Sequence, residues 1–377
     1  DAVRTPRSKG KAGGSLHEVK PVDLGAGLLR ALQRRHDLDT SYVDDVIMGC
    51  AMPEGDQGLN VGRLIGLMAG LPEDCGAVTI NRFCSSGLEA IAQASLRVMA
   101  GWSEVTIGGG VESMTYVPMG GNQPRPHPDH TKKRADLYAS MGVTAENVAQ
   151  RYNISREDQD ALAVESQTRA AHAIEAGYFK DQIVPVELKS RKGTTIFDTD
   201  EHVRGDATVE GMGKLRTVFK KDGSVTAGNA SGINDGAAAV VLADAGYAQR
   251  QGLSPMARLR SYAFAGVDPA YMGEGPIPAV KKALDRAGLQ VDDMDVIESN
   301  EAFAAQALAV SKGLGFDPAK TNPNGGAVAF GHPIGATGAI LTVKALHELQ
   351  RSGGRYALIS MCIGGGQGIA MIIEVAS

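Results

Sequence analysis

The sequence of 377 residues predicts an α/β protein of two similar halves, with a polar segment inserted into the first half. Three observations predict this fold class. Short apolar strands alternate with amphipathic helices near both ends of the chain, which is typical of helices packed on sheets. The middle of the chain, residues 114–232, is polar and rich in loops. A helix, a strand and a triple glycine also occur in that order once in each half.

The first half alternates helices and strands. Hydrophobic periodicity predicts helices over residues 24–35, 62–69 and 88–99, while "VDDVIMGCAM" and "EVTIGGG" are apolar enough to form buried strands. Because helices separate these strands, we expect a parallel sheet that is covered on both faces. We assign residues 1–253 to this first domain, including the insertion over 114–232.

The insertion and the second half carry their own signals. Helices are predicted over 144–152 and 156–176, the second one capped by Ser155 with Asp158 three residues later. The second domain is assigned to residues 254–377. Its "ATGAILTVKALHELQRSGG" and "RYALISMCI" lead to glycines 364–366, as "SSGLEAIAQASLRVMAG" leads through a strand to glycines 108–110. We interpret this repetition as two related halves packed together.

The composition excludes several classes of function. A net charge of −5 gives no reason to expect a nucleic acid or an anionic membrane as partner. Four cysteines in so long a chain do not form a disulfide framework, and their spacing fits no zinc site, so the cytoplasm is the expected compartment. No apolar run reaches the ~18 residues of a membrane span. The chain starts without methionine, which leaves a preceding targeting segment open.

Four polar side chains are predicted at the ends of strands. "NRFCSSGLEA" places Cys84 where a strand pattern stops and a helix pattern starts, and the matching corner of the second half has His332 in "GHPIGATG". If the halves pack with pseudo-twofold symmetry, these two meet as thiol and base, and a helix N-terminus with a nearby imidazole lowers a thiol's pKa. Cys362 and Asn300 also end apolar strands. For either Cys84 or His332 alone, a buried cysteine or a loop-capping histidine is the structural alternative.

Other signals are weaker. His127 and His130 could hold a metal, but a solvated proline-rich loop explains them better, so no metal site is predicted. The glycine runs match no nucleotide-binding motif. Cys50 and Cys75 are interpreted as core or surface residues without a chemical role.

Six longer motifs follow one another along the chain: "NRFCSSGLEA", "GGGVESM", "VTAGNASGINDGAAA", "SNEAFAAQ", "NPNGGAVAFGHPIGATGA" and "MCIGGGQG". In this order they resemble the thiolase family over essentially the whole chain. Only the strand that family members carry before "AVRTP" is mostly absent. The resemblance implies a five-layered αβαβα fold, with two similar halves and a loop domain inserted in the first.

The resemblance also implies roles for individual residues. Cys84 would be the acylated nucleophile, His332 the base that activates it, and Cys362 a second acid/base with a pKa near neutral. Asn300 would hold a water that forms one oxyanion hole with His332, and the N–H groups of Cys84 and Gly364 would form the other. Coenzyme A is implied as a substrate, with no cofactor. It and the acyl chain would lie along Met141, Arg204, Ala227, Ser231, Met272 and Phe303.

The same resemblance suggests a substrate class. Family members dedicated to acetoacetyl-CoA usually carry His before the Met-Gly of the pantetheine loop, whereas this chain has Ser140-Met141-Gly142. With "RFCSSG", this resembles the degradative 3-ketoacyl-CoA thiolases of fatty acid β-oxidation. A biosynthetic acetyl-CoA acetyltransferase and a non-catalytic thiolase-like lipid carrier are the alternatives. A homodimer or homotetramer is expected, with strands such as "EVTIGGG" as candidates for its interface.

Overall fold

The computed structural model describes residues 1–191 and 193–376. Its strands are β1 Ala2–Arg4, β2 Ser8–Lys9, β3 Val43–Gly49, β4 Gly76–Ile80, β5 Val105–Ser113, β6 Val186–Ser190, β7 Gly193–Phe197, β8 Asn234–Ala243, β9 Ala257–Gly266, β10 Val296–Ser299, β11 Tyr356–Ile363 and β12 Gln367–Val375. Its α-helices are α1 Pro21–His36, α2 Val61–Met68, α3 Ser86–Met99, α4 Pro128–Lys133, α5 Met141–Tyr152, α6 Arg156–Glu175, α7 Val209–Gly213, α8 Ala245–Arg250, α9 Pro276–Ala287, α10 Ala304–Leu314, α11 Ala327–Phe330 and α12 Ile334–Ser352.

The first sheet has the strand order β1-β8-β5-β3-β4, with β2 pairing β8. Strands β3, β4 and β5 are parallel, as the intervening helices predict. The same sheet also contains β1 and β8, which are antiparallel to their neighbours. The long segment between β5 and β8 explains the direction of β8, since this segment ends at the same edge of the sheet as β5 does. An antiparallel neighbour then needs no crossover.

The second sheet has the strand order β10-β11-β12-β9. Strands β10 and β11 are parallel, and the other two pairs are antiparallel. The triple glycines occupy different positions relative to the strands of the two sheets. Glycines 108–110 lie inside β5, whereas 364–366 follow β11, with φ near 82° at Gly365 and Gly366 in the turn to β12. The two triple glycines are therefore not equivalent, although helix and strand do recur.

Two central helices, α3 and α12, lie between the sheets. Leu88 and Ile91 of α3 and Ile340 of α12 belong to one buried cluster with Ile359 and Met371 of the second sheet. Helices α1 and α2 cover the outer face of the first sheet, and α9 covers the outer face of the second. Each large apolar side chain buried this way contributes roughly 1.5–3 kcal/mol. The order of layers is therefore αβαβα, which confirms the predicted fold class.

Glycine allows the two central helices to approach closely at their N-terminal ends. A Cβ atom on Gly87 would lie 2.9 Å from the backbone nitrogen of Ala339, and one on Gly338 would lie 2.4 Å from that of Leu88. No larger residue fits at such distances without moving a backbone. The glycines in "SSG" and "ATG" therefore bring together the two corners that carry Cys84 and His332.

The inserted segment lies between β5 and β8 and contains helices α4 to α7 and the β6–β7 hairpin. Helix α6 begins with the predicted capping box, in which Ser155 and Asp158 bond each other's backbone N–H. Strand β5 is buried along its whole length between β8 and β3, so its own subunit already covers "EVTIGGG". That strand is not the interface that the sequence suggested. Among the residues described, no helix is long and apolar enough to cross a membrane.

Candidate active site

Cys84 lies in a sharp turn between β4 and α3. A short 3-10 helix, Phe83–Ser85, precedes α3, and Phe83 has a left-handed backbone with φ of 44°. The Ser86 hydroxyl closes this turn, accepting the N–H of Arg82 at 2.9 Å and donating to the carbonyl of Phe83 at 2.7 Å. Such a conformation is costly for a bulky residue and often marks a functional turn. It presents the Cys84 side chain at the start of a helix.

The Cys84 thiol is protonated at neutral pH. Burial raises its pKa to about 11, although the N–H groups of Gly364 and of Cys84 itself form hydrogen bonds toward the sulfur and oppose this. The expectation of a lowered pKa is therefore wrong, because desolvation of the thiolate outweighs two backbone dipoles. The same two N–H groups converge on the reacting sulfur, where they can also donate hydrogen bonds to a negatively charged oxygen.

Cys362 is completely buried at the end of β11. Burial raises the pKa of its thiol well above the ordinary value, and the nearby charge of a Cys84 thiolate raises it further. The expectation of a near-neutral pKa is wrong for the same physical reason as at Cys84. The two thiols interact electrostatically, so the structure brings them into one site. A thiol with a high pKa is a proton donor in its resting state.

His332 is buried in the corner before α12, and its ring has a partner on each side. Nδ1 lies 2.7 Å from the hydroxyl of Thr337, and Nε2 lies 3.4 Å from the amide nitrogen of Asn300. The backbone N–H of His332 donates to the carbonyl of Gly232 at 3.1 Å. Burial, and to a smaller extent the charge of Arg7, lowers the pKa of His332 to about 4. The imidazole is therefore neutral at neutral pH and can accept a proton.

Asn300 connects His332 with the strand that carries Cys362. Its backbone N–H donates to the carbonyl of Ser360 at 2.9 Å, two residues before Cys362. Its Oδ1 is buried and has no hydrogen-bond partner within residues 1–191 and 193–376. This oxygen is therefore available to a ligand or a water molecule. A thiol pair, a neutral imidazole and two converging N–H groups together can form, hold and release a covalent thioester.

Comparisons with known proteins agree with this chemistry. Residues 1–246 match the thiolase N-terminal domain, and residues 253–375 match the thiolase C-terminal domain. The chain belongs to the thiolase family. It is 54% identical to Beta-ketothiolase BktB of Cupriavidus necator, over 97% of this chain and 96% of that protein. It is 47% identical to a 3-ketoacyl-CoA thiolase of Bacillus subtilis, over 99% of this chain and 97% of that one.

Two further relatives complete the comparison. A Beta-ketoadipyl-CoA thiolase of Acinetobacter baylyi is 50% identical, over 99% of this chain and 98% of that protein. The crystal structure of the Bacillus anthracis acetyl-CoA acetyltransferase superposes with a TM-score of 0.92, at 43% identity, over 100% of this chain and 97% of that one. This thiolase is therefore an acyltransferase.

The predicted binding residues of the thiolase divide into two groups. Met272 and Phe303 are buried with Cys362 in one apolar cluster, against which Met141 packs. The other three lie farther out: Ser231, half-buried, donates its N–H to the carbonyl of Ala302 at 3.0 Å, while Arg204 and Ala227 are exposed. The first group forms an apolar wall beside the thiols, and the second lies toward solvent.

His127 and His130 have a local role in this thiolase. Nδ1 of His127 accepts the N–H of Asp129 and caps helix α4, and the two rings stack with centroids 4.2 Å apart. Both side chains are exposed. Cys50 and Cys75 are buried residues of the core.

Sequence reasoning missed several thiolase residues that shape the site. The ring of Phe219 packs edge-on against Phe303, with centroids 6.0 Å apart. Glu301 fixes the loop before His332, accepting from the hydroxyl of Ser166 at 2.7 Å and the amide of Asn322 at 2.9 Å. Motif order could flag Glu301, because it follows Asn300 directly. Nothing in the local pattern indicates Phe219, since its contact depends on the folding of the insertion.

Proposed function

We propose that this thiolase cleaves a 3-ketoacyl-CoA with CoA, giving acetyl-CoA and a shortened acyl-CoA through an acyl group on Cys84. The observation that carries the proposal is the meeting of two protonated thiols with a neutral imidazole at the N–H groups of Cys84 and Gly364. The first thiol can attack and the second can donate a proton, while His332 serves as the base.

The first half of the reaction forms the acyl-enzyme. Nε2 of His332 takes the proton of Cys84, and the thiolate adds to the C3 ketone. The resulting alkoxide lies at the N–H groups of Cys84 and Gly364, where one such donor typically contributes about 3–4 kcal/mol. Collapse of the alkoxide breaks the C2–C3 bond, which leaves the acyl group on Cys84 and releases the enolate of acetyl-CoA. Cys362 gives its proton to C2.

The second half transfers the acyl group to CoA. The CoA thiol returns a proton to Cys362, and its sulfur attacks the acyl carbon. Cys84 leaves and recovers the proton held on His332, so that all protons balance over one turnover. The enolate oxygen is stabilised by the protonated Nε2 of His332 and by a water bound to the free Oδ1 of Asn300. The raised pKa of Cys362 supports this scheme, because the acid must hold its proton until the enolate forms.

The acyl and CoA moieties are proposed to lie along Met141, Met272, Phe303, Ala227, Ser231 and Arg204. The apolar wall around Cys362 supports the acyl and pantetheine part, and the exposed position of Arg204 supports a contact with a CoA phosphate. Ser140, small and exposed before Met141, supports substrates longer than acetoacetyl-CoA and a role in degradation such as fatty acid β-oxidation.

A chain-length series tests this proposal. CoA-dependent cleavage should be measured with acetoacetyl-CoA, with longer 3-ketoacyl-CoA esters and with 3-ketoadipyl-CoA, followed by mass spectrometry of the trapped enzyme. We expect turnover of the longer esters and an acyl adduct on the peptide with Cys84, absent in Cys84→Ala. Activity confined to acetoacetyl-CoA would favour the biosynthetic alternative. An adduct on Cys362, or no cleavage of any ester, would contradict the assignment.

We also propose that the enzyme is a cytoplasmic homodimer or homotetramer. Strand β4 lies at the edge of the first sheet, and four of its five residues are half-buried, which supports a further strand pairing there. All four cysteines are unpaired, which supports a reducing compartment. Light scattering of the active enzyme at micromolar concentration should show two or four chains, and an active monomer would contradict the proposal.

A further inference from the structure

Glu112 is a completely buried carboxylate near the end of β5. Oε2 accepts the backbone N–H of Ala51 at 2.7 Å and that of Gly335 at 2.8 Å. Oε1 accepts the side-chain amide of Gln57 at 2.8 Å and the N–H of Met52 at 3.3 Å. Four N–H donors thus converge on one side chain, and no described cation forms a salt bridge with it.

The four donors belong to segments on both sides of the active site. Ala51, Met52 and Gln57 lie in the loop after β3, in the first half of the chain. Gly335 lies in the first turn of α12, three residues after His332, where the helix dipole favours a negative charge. One carboxylate therefore joins the half that carries Cys84 to the half that carries His332.

The four N–H donors favour an ionised carboxylate. Burial raises the pKa of Glu112, but the N–H of Ala51, the Gln57 amide and the N–H of Gly335 oppose this by stabilising the charged form. A glutamine has one acceptor oxygen, so its NH₂ group would face at least one N–H donor in place of an acceptor. The Glu112 charge also acts on Cys84, where it disfavours the thiolate.

We propose that Glu112 is a positioning residue for the thiolase reaction: by accepting N–H groups from both halves of the chain, its carboxylate fixes the corner of His332 relative to that of Cys84. This rests on the proposed roles of Cys84 and His332.

Two substitutions separate charge from geometry. Glu112→Gln removes the charge and replaces one acceptor oxygen by an NH₂ donor, so we expect kcat to fall about 10- to 100-fold, as for the loss of other supporting hydrogen-bond partners. The pH profile of Cys84 alkylation by iodoacetamide should move to lower pH, because a repelling charge is gone. Glu112→Asp keeps the charge but shortens its reach. It should lower kcat while leaving the alkylation profile where it is.

Glu374→Gln is the matched control. Glu374 is a buried carboxylate that accepts from Arg258, Arg355 and Tyr356 in the second sheet, and the proposed reaction does not use it. Its loss should lower the melting temperature without moving the alkylation profile of Cys84. A profile that shifts equally in Glu374→Gln would show a general loosening of the fold and would overturn the role of the Glu112 charge.

The remaining outcomes also decide the proposal. A folded Glu112→Gln enzyme with wild-type kcat, or with an unmoved alkylation profile, overturns it. If Glu112→Gln does not fold, Glu112→Asp decides: wild-type kcat or a shifted profile contradicts the proposal. Cys84→Ala, assayed in parallel, tests the proposed cleavage reaction separately from the role of Glu112. Cleavage activity in Cys84→Ala would refute the proposed mechanism whatever the Glu112 variants show.

Discussion

Replacing Cys362 by alanine should nearly abolish exchange of the acetyl C2 protons with deuterated solvent, while acyl transfer onto Cys84 continues in part. The proposed reaction gives the two thiols different tasks: Cys84 adds to a carbonyl, and Cys362 only passes a proton. Because the proposed base, His332, is unchanged in the variant, the first attack on a simple acyl-CoA should remain possible. Every step that forms or quenches the enolate loses its acid, which typically costs about 10²–10⁴-fold in rate.

Two measurements on the same variant check this expectation. Exchange is followed by NMR or mass spectrometry of acetyl-CoA in deuterated solvent, and the acyl group on Cys84 is counted by mass spectrometry of the intact protein. Cys84→Ala is the control, since it should lose the acyl-enzyme altogether. Wild-type exchange in Cys362→Ala would show that His332 performs both proton transfers. Loss of the acyl-enzyme in Cys362→Ala would instead place Cys362 in the first attack.

The sequence predicts the layers and the corners of this thiolase better than the electrostatics between them. Helix periodicity depends on local spacing, so α1, α3 and α6 lie close to where the pattern puts them. The strand-to-helix corner of Cys84 and the glycines that let α3 and α12 approach also follow from short motifs. The direction of β8 could not be derived, because it depends on where a long insertion returns the chain.

The two thiol pKa values were mispredicted because a pKa depends on everything around the group. A helix N-terminus is visible in the sequence and predicts a lowered pKa at Cys84. The burial that raises it depends on both halves of the molecule closing over the site, which no local pattern records. Glu112 was missed for a similar reason. In the sequence it is one letter of "GGGVESM", and its four donors come from residues 51–57 and from Gly335.

His332 provides a test of this electrostatic account through its lowered pKa. In the folded enzyme its pKa is about 4, below the ordinary value of 6.5, so the ring stays neutral as pH falls through 6.5. The acid limb of kcat/KM should therefore lie below that of a free imidazole. As pH falls, the His332 ring takes up a proton at a higher pH in the unfolded chain than in the folded enzyme. The buried ring therefore lowers the free energy of unfolding in acid, by about 2 kcal/mol at pH 5.

His332→Asn should separate these effects. Loss of the base should lower kcat/KM about 10²–10⁴-fold at neutral pH. The variant should also lose less stability than the wild type between pH 7 and pH 5 in thermal or urea unfolding, because the neutral buried ring is gone. His347→Asn is the control, since that ring is half-buried and also has a lowered pKa, but it lies against the carbonyl of Ala2. It should keep wild-type kcat/KM.

In the wild-type enzyme, an acid limb of kcat/KM at pH 6.5 or above would show that His332 is charged when it acts, and that Cys84 must lose its proton to another group.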